Sequence, residues 1–104
     1  MNLELTEDQR MIQENIRRFA ESEVKPRAAE LDEKCEFPWA AVRSLSELGL
    51  MGMFVEPEYG GSGLDYVSGS IALEEIGRYD ASLGLTVASH NSLCIGHIRA
   101  AGTE

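Results

Sequence analysis

Asp80-Ala81-Ser82-Leu83-Gly84-Leu85-Thr86-Val87-Ala88-Ser89-His90-Asn91-Ser92-Leu93-Cys94-Ile95-Gly96-His97-Ile98 is the stretch that decides the fold. From Ala81 to Ile98 it carries no Lys, Arg, Asp or Glu, which approaches the roughly 20 apolar residues of a membrane span. Ser82, Thr86, Ser89, His90, Asn91, Ser92 and His97 interrupt it, and that much polarity is costly at bilayer depth. The stretch therefore reads as a buried helix of a soluble protein, capped by Asp80 and running to about Ala101. Gly102 is expected as its C′ residue, with Arg99 in the last turn. A helix without a polar face needs neighbours on all sides, and 104 residues leave few elements to provide them. Residues 1–58 hold 13 acidic and 7 basic side chains against 5 and 2 in residues 59–104, so the second half is expected to be covered by further protein.

Upstream, Asp65 is placed to cap a helix through about Tyr79, with Val67, Ile71, Ala72, Leu73 and Ile76 as its apolar positions and Glu74 paired to Arg78. The first helix is predicted from the capping box Thr6-Glu7-Asp8-Gln9. Its apolar stripe is Ile12, Ile16, Phe19, Ala20 and Val24. Pro26 should break or kink it near Lys25, and Ala28, Leu31 and Cys35 continue the phase in a short second segment. Phe37-Pro38-Trp39 opens another helix, with Ala41, Val42, Leu45 and Leu48 inside and Gly49 ending it. Leu50 to Val55 reads as a buried extended connector. Pro57-Glu58-Tyr59-Gly60-Gly61-Ser62-Gly63 reads as a tight ordered turn; neither the P-loop Lys-Ser/Thr nor a strand-borne GxGxxG accompanies its glycines.

The chain is one domain of all-α class, spanning residues 1–104. Its formal net charge of −9 argues against a nucleic-acid partner, which would require clustered Lys and Arg. Cys35 and Cys94 stand far apart and are expected to be reduced and partly buried. The N-terminal Met1 to Asp8 shows neither a basic n-region nor an apolar h-region, so the expected location is cytoplasmic.

Two faces of the final helix carry information. Gly84, Ala88, Ser92 and Gly96 recur every fourth residue, a ridge of small groups suited to close helix packing. Beside it, Thr86, Ser89, His90, Leu93 and His97 follow i, i+3, i+4, i+7, i+11 spacing and form a mixed face with the character of a pocket wall. His90 and His97 stand about 10 Å apart along a helix, too far to share one metal ion. Glu74 and Glu75 read as solvated surface charges. No nucleophile and base are paired by spacing.

Taken in order, several motifs resemble the N-terminal helical domain of the acyl-CoA dehydrogenases. They are Leu5-Thr6-Glu7-Asp8-Gln9, Phe37-Pro38-Trp39, Glu47-Leu48-Gly49-Leu50-Met51-Gly52, the Pro57 to Gly63 loop, Ala72-Leu73-Glu74-Glu75-Ile76, Asp80-Ala81-Ser82-Leu83-Gly84 and His90-Asn91-Ser92-Leu93. The resemblance spans the whole chain and implies the first of three domains in an FAD-dependent homotetramer. It also implies oxidation of an acyl-CoA thioester to trans-2-enoyl-CoA, with electrons passed to an electron-transfer flavoprotein. The family's catalytic glutamate and most of its flavin contacts would lie beyond Glu104, so no catalytic residue is assigned and this stretch alone is expected to be inactive. What the resemblance does transfer is the acyl wall: Thr86, Ser89, His90 and Leu93 become the substrate-contact candidates. His97 departs from the proline many relatives carry there. A flavin oxidase or monooxygenase of the same superfamily and a non-catalytic helical interaction module stay open as alternatives.

Overall fold

The computed structural model describes residues 1–103, all of whose regular structure is helical. Thr6 caps α1 (Glu7–Phe19) through the expected box: its hydroxyl accepts from the Gln9 N–H and the Gln9 side chain accepts from the Thr6 N–H. The chain then stays helical through a π segment at Ala20–Val24 and on into α2 (Lys25–Lys34). Pro26 lies in the first turn of α2. Instead of breaking the helix, it is accommodated by the wider turn just upstream, which relieves the missing N–H and the clash of the ring with the preceding turn.

Pro38 stands at the N-cap position of α3 (Trp39–Glu47) without a side-chain bond, and Gly49, in the left-handed region at φ 81°, turns the chain away from it. The stretch after Gly49 is not extended, contrary to expectation. Leu50–Gly52 is a 3₁₀ turn with Leu50 and Met53 buried, and its polar backbone is satisfied from a later helix, so it needs no strand partner. After the glycine loop, Asp65 caps α4 (Tyr66–Tyr79) by accepting from the Ser68 N–H. That bond holds its carboxyl below the usual range. Asp80 caps α5 (Ala81–Ser89), which continues through a second π segment (His90–Ile95) into α6 (Gly96–Ala101). Gly102 ends it in extended backbone, not as a left-handed C′ residue.

The core lies where α1, its π segment, α4 and α5 meet, and α3 and the 3₁₀ turn close one side. Ile16, Ala20, Leu45, Ile76, Leu83 and Val87 are among its buried members. Helices α4 and α5 touch at their backbones: a Cβ on Gly84 would stand only 3.1 Å from the Gly77 Cα. The small-residue ridge is thus used at Gly84, while Ser92 is exposed. Leu48 and Val67, expected on inner faces, are exposed, as are both cysteines. Asp80 accepts from the N–H groups of Ser82 and Leu83 at 3.0 and 3.1 Å. Asp80→Ala should therefore lower stability by about 1 kcal/mol in urea unfolding, the usual worth of an N-cap.

Candidate functional site

Among the four candidate wall residues, Thr86 and Ser89 on α5 and His90 at the start of the π segment lie half-buried. The Thr86 hydroxyl donates to the Ser82 carbonyl at 2.9 Å, so the polar end of that side chain is spent within its own helix. Its methyl group is what remains for a neighbour. Leu93 follows inside the π segment and is 63% exposed. A π segment takes up an extra residue, which turns everything beyond it by about 100° against an uninterrupted α-helix. The i, i+7, i+11 relation of Leu93 and His97 to Thr86 is skewed accordingly. His97 Nδ1 donates to the Leu93 carbonyl, which fixes that ring to its own helix.

Leu85, Leu93 and Ile98 are 67%, 63% and 66% exposed. The charge-free run from Ala81 to Ile98 thus leaves three large apolar side chains in solvent. The four candidates line no part of the roughly 450 Å³ groove between the first π segment and the start of α3, where Phe37 and Trp39 pack edge to face.

The glycine loop was the other place where a ligand group could bind. Its consecutive N–H groups from Tyr59 to Leu64 donate to the carbonyls of Glu56, Pro57, Glu56, Gly52, Val55 and Met53, all between 2.7 and 3.2 Å. The Ser62 hydroxyl donates to the Gly49 carbonyl at 2.7 Å, and a Cβ on Gly61 would run into the Val55 carbonyl. With its donors turned inward, this loop does not fit a flavin pyrophosphate. It is the tight turn its sequence suggests. Among the described residues no group of three or more His, Cys, Asp or Glu is placed to hold a metal ion, and no helix is long and apolar enough to cross a membrane.

A family model described as the acyl-CoA dehydrogenase N-terminal domain matches residues 6–104. The chain belongs to that family. Across 103 residues it is 46% identical to the mitochondrial short-chain specific acyl-CoA dehydrogenase of Bos taurus, covering 99% of this chain and 25% of the relative. It superposes with a TM-score of 0.88 on butyryl-CoA dehydrogenase from Megasphaera elsdenii, at 33% identity over 99% of this chain and 28% of that one. A chain solved in work on the electron transferring flavoprotein of Acidaminococcus fermentans gives a TM-score of 0.92 at 36% identity, covering 99% and 27%. This acyl-CoA dehydrogenase N-terminal domain spans about a quarter of the length of the relatives it matches.

Two polar residues escaped the sequence reading of the domain. Glu75, expected as a solvated charge, is 1% exposed; Arg17 Nε and Nη2 grip its two carboxylate oxygens at 3.0 and 2.8 Å. Glu74 stays exposed, and the ion pair forms at its neighbour because α1 packs on the other side of α4. Asn91, expected only as one of the polar residues that interrupt the charge-free helix, is 3% exposed and bonded through both ends of its carboxamide.

Proposed function

We propose that this domain supplies the acyl wall of an FAD-dependent acyl-CoA dehydrogenase that oxidises a short-chain acyl-CoA thioester to trans-2-enoyl-CoA, with Thr86, Ser89, His90 and Leu93 meeting the acyl chain. The observation that carries the reading is the charge-free helix itself, whose outward Leu85 and Leu93 lie in solvent in this chain while the relatives are roughly four times as long. Such a face gains from being covered, and an acyl chain between it and further domains would exclude water from the thioester and strengthen the electrostatics around its α carbon. In this reading FAD and the catalytic base are held outside residues 1–104, in keeping with the closed glycine loop. The whole protein is a cytoplasmic homotetramer that passes electrons to an electron-transfer flavoprotein.

Expressed alone, the 104-residue chain should therefore purify without flavin absorbance and should not reduce a dye with butyryl-CoA after FAD is added. The full-length protein should show flavin absorbance and reduce the dye with butyryl-CoA. A flavin spectrum from the isolated chain would place the cofactor site within it and end this division of labour. A full-length protein that binds no flavin would favour the interaction module.

A further inference from the structure

We propose that Asn91 is the positioning residue of this wall: from within the π segment, its carboxamide ties the segment to the Leu50–Met53 turn and so sets where His90 and Leu93 stand toward the acyl chain. The inference rests on the acyl-wall reading above. Asn91 Nδ2 donates to the Leu50 carbonyl at 2.8 Å and to the Val87 carbonyl at 2.9 Å, while Oδ1 accepts from the Met53 N–H at 2.9 Å.

Both amide donors are used, and so is the oxygen. Flipping the amide would set oxygen against two carbonyls and the NH₂ against an N–H, so the partners fix its orientation. Asp would face the same two carbonyls without a proton to give, and Leu would take this side-chain partner from the Met53 N–H and the Leu50 carbonyl, leaving the Val87 carbonyl only its bond from the His90 N–H.

The anchorage reaches past one contact. Gly52 and Met53 carbonyls accept from the Ser62 and Leu64 N–H groups at 3.1 and 2.7 Å, so the turn that Asn91 holds is stitched to the rigid glycine loop ahead of α4. On the same π segment Ser92, Leu93 and Cys94 are exposed while Asn91 is buried. One residue thus faces inward as a peg and the next three, Leu93 among them, face outward. A π segment has poorer intrinsic hydrogen bonding than an α-helix and is found often at functional sites. Here a side chain, at 38 and 41 residues' separation, supplies what the backbone alone does not.

The test compares Asn91→Asp, Asn91→Leu and Leu93→Ala in the full-length dehydrogenase, measuring kcat and KM with butyryl-, hexanoyl- and octanoyl-CoA beside a thermal melt. Asn91→Ser, which leaves room for a water, replaces Asn91→Leu if the latter does not fold. A displaced wall should raise KM for the preferred acyl-CoA about tenfold and flatten the chain-length ranking, with kcat changed far less. Lowered melting temperatures with the wild-type ranking intact in every Asn91 variant would make Asn91 a structural residue only and overturn the proposal. In that event, a ranking altered by Leu93→Ala leaves the acyl wall standing, whereas an unaltered one removes the wall as well.

Discussion

Arg17→Met should lower the melting temperature by on the order of 10 °C and invert the response of stability to acid. The variant strands the Glu75 carboxylate, which is 1% exposed, without the guanidinium that grips both of its oxygens. In the native protein the hydrogen bond from Arg17 holds the Glu75 carboxyl below the usual carboxylate range, and burial opposes it. A carboxyl depressed on folding contributes stability that is present above its unfolded value and lost as pH falls through the folded one.

Once Arg17 is gone, burial is left to dominate, and Arg78 acts only as a weaker charge nearby. The carboxyl then rises above its unfolded value, so the folded state binds a proton more readily than the unfolded state does. Unfolding curves between pH 8 and pH 5 should show the variant gaining stability as pH falls, where the native protein gains none. Glu75→Gln should cost less than Arg17→Met, because the partly exposed Arg17 side chain can return to water. Equal losses in the two variants, or parallel pH curves for native protein and Arg17→Met, would show that the pair contributes no more than a surface contact.

What the sequence revealed was what is local. Thr6, Asp65 and Asp80 cap their helices because the side chain and the N–H it serves lie two or three residues apart. Gly49 ends α3 for an equally local reason. By contrast, Glu75 finds its partner 58 residues away, and no spacing within α4 separates it from Glu74. Asn91 sits in a run of polar and apolar residues that gives no hint of two backbone partners near residue 50.

The π segments divide in the same way. Pro26 signals a disturbance near Lys25, although the disturbance takes the form of a wide turn upstream and not a break. No proline announces the segment at His90–Ile95, and a uniform 100° step along the helix placed Leu93 and His97 squarely with Thr86. The uniform helical step therefore holds from Thr86 to about His90 and is rotated beyond it. Leu50 to Val55 misled for a related reason, since its apolar run and flanking glycines fit a buried extended piece and a 3₁₀ turn equally well.

The second large effect expected is a change of substrate preference. If Ser89 and Leu93 border the acyl chain, each methylene admitted or excluded is worth about 0.8 kcal/mol, close to fourfold in kcat/KM. Leu93→Ala opens space and should move the preference of the full-length protein toward longer acyl groups. Ser89→Phe fills space beside a half-buried position and should shorten it. Leu93 is 63% exposed in this chain, so its truncation should leave the domain's own stability nearly unchanged, unlike a buried leucine. The deciding measurement is kcat/KM over a straight-chain series from butyryl- to octanoyl-CoA for the native protein and both variants. Opposite shifts in the two variants, with melting temperature held for Leu93→Ala, are the predicted result; an unchanged order of substrates in both would contradict the acyl wall.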